Sequence, residues 1–183
     1  MSGGIPREAW VTDLLTGEEF RRLCQTFGHT AFRLETHDRY VDEEEKEPLR
    51  RFLAGEPPDD DWFMDWYEAV AQLVAEGRRM ERVRVVSEPH SDYTRFGIDL
   101  AQRLNVPSGE GIRYLPRLQA RNLDLPEEDF WLLDSSRVLV LHFDGDVSLG
   151  AELVTHPDEV IRRAYWRDVA WHFARPLSEY ARS

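Results

Sequence analysis

The spacing of apolar residues changes period repeatedly along the chain. Residues 30–36, Thr-Ala-Phe-Arg-Leu-Glu-Thr, alternate cleanly. Phe32 and Leu34 point one way and Arg33 and Glu35 the other, the pattern of a half-buried strand. Ahead of it, Thr16 followed by Glu19 forms a capping-box signal for a helix that runs to about Phe27 and stops at Gly28. Glu43 to Ala54 is charged but helix-compatible, and Gly55-Glu56-Pro57-Pro58 breaks it. A longer helix is predicted from about Asp60 to Glu76, with Trp62, Trp66, Ala69, Val70, Leu73 and Val74 as its apolar stripe. Its Asp-rich start suits the positive end of a helix dipole.

After Gly77 the period shortens again. Residues 80–87 read as a strand of strong β-propensity, and 91–104 as a helix with Phe96, Leu100 and Leu104 on one side. Residues 111–115 form a short strand and 116–125 a turn or short helix. Phe130–Leu133 and Val138–Phe143 are apolar strands joined through Asp134-Ser135-Ser136-Arg137 as a hairpin. Residues 150–154 make one more strand. Pro157 opens a last helix to about Ala174, and Pro176 ends it. Strands between helices place the chain in the α/β class, with α+β as the alternative. The expected core is a mixed sheet of about five to seven strands flanked by helices. Residues 1–15 are expected to be a flexible lead and 177–183 a tail. Between them lies one domain over 16–176, with a helical and strand part at 16–79 and a second part at 80–176.

Composition narrows the function classes. The chain has 183 residues, 42% of them hydrophobic, with six Trp, six Tyr and nine Phe, enough apolar material to rule out full disorder. A net charge of −12 opposes direct binding to nucleic acid or anionic membrane and favours a basic partner. The single cysteine, Cys24, excludes an intrachain disulfide and a Cys-based metal site, and its neighbours make it a buried structural thiol. No 18-residue apolar run is present, and Met1–Pro6 lacks the regions of a signal peptide, so the expected location is cytoplasmic. The P-loop, GxGxxG, the nucleophile elbow and zinc spacings are all missing, so neither cofactor nor metal is expected.

The candidate ligand-binding set is Arg33, Glu35, Arg39, Arg82, Arg84, Glu88, Tyr93, Arg95 and Arg113. Arg33 and Glu35 share a strand face, as do Arg82 and Arg84. Two readings fit: a structural ion network with Glu35, Glu88 and Asp99, or a pocket whose arginine forks hold a polar or anionic ligand. His142 beside Asp144 is either a structural histidine or a base oriented by a carboxylate. The aromatic cluster Trp62, Phe63, Trp66 and Tyr67 spans more than one narrow helix face. Trp62, Trp66 and Tyr67 are therefore candidates for docking a partner, with core packing as the alternative.

Residues 127–134, Glu-Glu-Asp-Phe-Trp-Leu-Leu-Asp, have a frame that resembles the phospholipase D motif, His-x-Lys-x-x-x-x-Asp. Glu127 and Asp129 stand where that motif has its histidine and lysine, and only Asp134 agrees. Together with Gly150–Val160 and Tyr165-Trp166, the order of elements over about 80–175 looks like one half of a phospholipase D-type fold, preceded by a helical extension. The resemblance implies the fold without its phosphodiester chemistry, because paired carboxylates repel phosphate.

The whole chain also resembles an actinobacterial, Streptomyces-type family of domains of unknown function. Ala31–Tyr40, Glu81–Pro89 with Tyr93 and Arg95, Gly111–Pro116, Asp129–Asp134 and Trp166–Trp171 carry that likeness. It implies a companion of helix-turn-helix regulators, with no reaction attached. The expected function is a non-catalytic regulatory or interaction module, binding a protein partner or a small polar or anionic ligand. No catalytic residue is assigned. The alternative is an enzyme of unassigned chemistry drawing on Glu35, Glu88, Tyr93 and His142.

Overall fold

The computed structural model describes residues 14–180. Seven strands form one mixed sheet in the order β6-β5-β4-β1-β2-β3-β7. They are β1 (Thr30–Glu35), β2 (Arg79–Val86), β3 (Gly111–Pro116), β4 (Phe130–Leu133), β5 (Arg137–Asp144), β6 (Val147–Val154) and β7 (Arg175–Pro176). β1, β2 and β3 run parallel, because helical crossovers join them. The remaining pairings are antiparallel. Short turns link β4 to β5 and β5 to β6, with Asp134, Ser135 and Gly145 at positive φ.

The helices are α1 (Gly17–Gln25), α2 (Lys46–Leu53), α3 (Met64–Ala75), α4 (Asp92–Leu100), α5 (Arg117–Ala120), α6 (Pro157–Phe173) and α7 (Leu177–Tyr180). They cover both faces of the sheet. On one face Ala31, Met80, Trp131, Leu133 and Leu139 pack under Cys24 and Phe27 near α1 and under Trp66, Val70 and Leu73 of α3. On the other, Phe32, Leu34, Val83, Phe130, Leu132 and Val138 pack under Val160 and Ala170 of α6. Alternation along each strand assigns each side chain to its layer. β4 is buried at all four positions because both faces are covered, which explains its unbroken apolar run.

Several boundaries differ from the sequence reading. The predicted helix over 60–76 starts as a 3-10 turn, Asp61–Phe63. The one over 91–104 is α-helical to Leu100 and then widens into a π-helical turn, Ala101–Asn105. β6 begins at Val147, earlier than expected, because it pairs with β5 back to Asp144. Residues 177–180, expected as part of a tail, form α7 and bury Leu177 and Tyr180 against Tyr114. β1 sits between β4 and β2, so residues 16–79 and 80–176 share one sheet. Residues 1–13 of the expected lead lie outside the described residues.

Candidate functional site

The sheet face under α3 and α4 turns from apolar to charged part-way along its parallel strands. Ala31 and Met80 are followed on that face by Arg33 and Glu35 of β1 and by Arg82 and Arg84 of β2. The register sets Arg33 beside Arg82 and Glu35 beside Arg84. Trp131 of β4 flanks Arg33 on the other side. The polar groups therefore lie toward the carboxyl ends of the parallel strands, where open α/β sheets place ligands.

Glu35 is the centre of this cluster and only 2% exposed. Its Oε1 accepts from Arg82 Nη1 at 2.9 Å. Its Oε2 accepts from Arg84 Nε. Arg82 Nε also donates to Glu110 Oε1 at 2.7 Å, and Asn105 Nδ2 donates to Glu110 Oε2 at 2.7 Å. Burial alone would raise the Glu35 pKa, but Arg33, Arg84 and Arg82 outweigh it and hold the carboxyl well below the usual range. Gly97 of α4 is part of the same construction. A Cβ there would collide with Arg84 Nη1, so any larger residue would push the guanidinium from its place.

A cavity of about 360 Å³ opens above these groups. This lies near the lower end of small-molecule sites. Arg33, Glu35, Arg82 and Arg84 line its floor. Trp62, Phe63, Trp66 and Tyr67 form one wall, with Tyr40, Tyr93 and Trp131 elsewhere around it. Arg33 is held between two rings, 5.5 Å from the Trp131 centroid and 5.7 Å from that of Tyr40. Its Nε lies 3.2 Å from Glu35 Oε1 but without the alignment of a hydrogen bond.

Arg33 Nε, Trp62 Nε1 and Trp131 Nε1 are all buried N–H groups without an acceptor, and all belong to side chains of this cavity. Buried donors are normally satisfied, and each unmet one costs about 1–3 kcal/mol. At the cavity's edge, Tyr93 donates to Glu45 Oε2 at 2.6 Å. Burial lifts the Glu45 pKa despite that bond, and pushes the Tyr67 hydroxyl up to about 12.

The candidate set thus divides. Arg33, Glu35, Arg82, Arg84 and Tyr93 come together, and Trp62, Trp66 and Tyr67 join them as cavity wall. Trp66 and Tyr67 are buried at 7% and 6% exposure, so they face the cavity and core and present no open docking patch. Arg39 is exposed and outside the cavity lining. Glu88 accepts from Tyr180 at 2.7 Å. Arg95 pairs with Asp92 on the exposed side of α4. Arg113 is level with Val83 on the opposite sheet face, where it donates to the Trp171 carbonyl at 2.8 Å. Asp99 pairs with Arg103, away from the sheet arginines, and His142 with Glu152. Glu35 and Tyr93 therefore do not meet Glu88 or His142.

A family model described as a domain of unknown function, DUF6879, matches residues 18–182. The chain belongs to the DUF6879 family. The comparison with curated proteins returns no match. The matched span contains every cavity side chain named above.

The DUF6879 chain has a second polar cluster behind Tyr40, which sequence reasoning missed. Asp129, fully buried, accepts from the Thr36 backbone N–H at 2.7 Å and from the Tyr40 hydroxyl at 2.5 Å. His37 Nδ1 lies 3.1 Å from its Oδ1. The bond to Asp129 raises the His37 pKa against the opposing effect of burial. Burial pushes Asp129 the other way, yet His37, Arg33, Tyr40 and Thr36 keep it ionised. Nδ1 is therefore the protonated nitrogen. Asp134, the residue that agrees with the phospholipase D frame, is a structural acceptor in the turn after β4. It takes the backbone N–H groups of Gly28, His29 and Thr30 at 2.7, 2.7 and 3.0 Å. Among the described residues no group of His, Cys, Asp and Glu is arranged to hold a metal, and no helix is long and apolar enough to cross a membrane.

Proposed function

We propose that this DUF6879 protein is a non-catalytic binding module whose cavity takes a small, acceptor-bearing anionic ligand, and that occupancy regulates a protein partner. The observation that carries this reading is the set of unmet buried donors, Arg33 Nε, Trp62 Nε1 and Trp131 Nε1, around one cavity. Floor and wall divide the recognition. The arginines supply charge, and the aromatic rings supply flat apolar surface for the ligand's body. Arg82 is tied down by two carboxylates, whereas Arg33, with a side chain 18% exposed and no aligned hydrogen bond, is the guanidinium freest to turn toward a ligand.

The proposal keeps the wider expectations of the sequence. An actinobacterial, cytoplasmic protein on a phospholipase D-like half-fold would act on a companion, with a helix-turn-helix regulator as the candidate partner. The −12 net charge suits a basic partner of that kind. Calorimetry with phenylacetate, a flat body with one carboxylate, tests the cavity. Saturable binding that Arg33→Met abolishes supports the reading, and absence of binding by the folded wild type defeats it.

One observation favours catalysis as a second reading. His37 is oriented by a buried carboxylate, as a general base would be. It lies outside the cavity lining, however, so the ligand and the base would not share a site. Hydrolytic turnover lost in His37→Ala but kept in Arg33→Met would favour this reading.

A further inference from the structure

We infer that the ligand of this cavity is a zwitterion of the aromatic amino-acid type, its carboxylate on the arginine floor and its ammonium group at the acidic mouth. This rests on the binding-module reading and gives the ligand a chemical class. Charge around the cavity is sorted by depth. Glu35 and Arg82 are buried at 2% and 7% exposure, and Arg33 and Arg84 lie beside them with side chains 18% and 19% exposed. At the mouth, Asp42 and Asp146 are exposed and Glu45 is half-buried. The floor holds three arginines against two buried carboxylates, Glu35 and, behind Arg82, Glu110, an excess of one positive charge, and the side chains of Arg33 and Trp131 there carry unmet N–H groups. That environment demands an anionic acceptor.

The mouth demands the opposite charge. Its three carboxylates face one cation, Arg21, whose guanidinium lies over the Phe63 ring at 5.8 Å. Over the whole lining, Arg21, Arg33, Arg82 and Arg84 match Glu35, Asp42, Glu45 and Asp146 in number, and Glu110 behind Arg82 adds one further negative charge. A dianion such as phosphate would have to pass the acidic mouth and would leave the balance negative. A ligand with one charge of each sign satisfies both ends. The Trp62 and Phe63 rings stack at 4.9 Å, and Phe63 stacks on Trp66 at 5.9 Å, so the wall between the two ends is flat and aromatic. An aromatic side chain on the ligand matches it.

Three probes separate the possibilities by calorimetry on the full chain: L-phenylalanine, phenylacetate with the carboxylate alone, and phenethylamine with the amine alone. Phenylalanine is expected to bind about tenfold more tightly than phenylacetate, the increment of one partly desolvated ion pair. Asp146→Asn, an exposed site, and Glu45→Gln should each weaken phenylalanine and leave phenylacetate unchanged. Arg33→Met should weaken both. Phenylacetate binding as tightly as phenylalanine would overturn the zwitterion and leave the anion-binding reading standing. Phenethylamine binding best, or no probe binding to a folded wild type, would overturn both.

Discussion

Replacing Glu35 by Gln removes the carboxylate that Arg33, Arg82 and Arg84 share. Breaking a buried ion pair by deleting one partner costs about 3–5 kcal/mol, because a charge is left uncompensated. Arg82 keeps Glu110. Arg33 and Arg84 have side chains 18% and 19% exposed and so regain some water. The loss should therefore fall near the lower end, about 3 kcal/mol. For a domain of this size that lowers the unfolding midpoint by about 6–12 °C. Removing the surplus charge as well, in Glu35→Gln/Arg84→Met, should recover part of the loss, since one of the guanidinium groups left without its carboxylate is then gone while Arg33 still lacks one. Urea unfolding followed by tryptophan fluorescence measures both variants. The pH dependence has a definite sign. The folded pKa of Glu35 is depressed, so its contribution is complete above the unfolded value of about 4.3 and is lost as pH falls through the folded value. The gap between wild type and Glu35→Gln should narrow in acid. A single-variant cost below about 1 kcal/mol, or a double variant less stable than the single one, would refute the reasoning.

Three further outcomes are expected. Gly97→Ala should displace Arg84 and cost about 1–3 kcal/mol by overpacking, read by urea unfolding, with weaker phenylacetate binding in the same protein. Asp134→Ala removes the acceptor of three backbone N–H groups in the segment entering β1; those of Gly28 and His29 are exposed and regain water, so the cost should be about 1–2 kcal/mol, read by urea unfolding. The His37 ring should titrate above 6.5 by NMR and return toward that value in Asp129→Asn. Because its folded pKa is raised, the stability it lends is full below about pH 6.5 and fades as pH rises through the folded value. A stability difference between wild type and His37→Ala that grows above neutral pH would contradict this.

Much of the fold was legible because most elements are regular in period. The alternation at 30–36, the apolar stripe of α3 and the unbroken run at 130–133 each follow from which faces are covered. The same period-two logic placed Arg33 with Glu35 and Arg82 with Arg84. Whether the two pairs met depended on strand register, which one sequence does not display. Arg113 shows the limit: it lies on a strand next to Arg84's, but its register with Val83 sends it to the opposite face. Trp131 was missed as a site residue for the same reason, since only the pairing of β4 with β1 brings it beside Arg33. Tyr40 lies in an irregular segment with no periodic signal, and Glu45, inside the charged stretch read as helix-compatible, sits in the turn just ahead of α2. Gly97 inside a helical pattern was the one available hint of a close approach. Asp129 was read through the phospholipase D frame as lost chemistry. It is a buried acceptor for Thr36, His37 and Tyr40, contacts that bridge more than eighty residues of sequence.

The central claim is that buried, unmet N–H donors make this cavity a site for an anionic acceptor. The indole N–H signals of Trp62 and Trp131 report on it directly in a proton–nitrogen NMR titration with phenylacetate. Saturable downfield shifts of these two signals, with those of Trp166 and Trp171 unmoved, are the expected result. Unchanged Trp62 and Trp131 signals at saturating phenylacetate, or equal small drifts of all four, would contradict it.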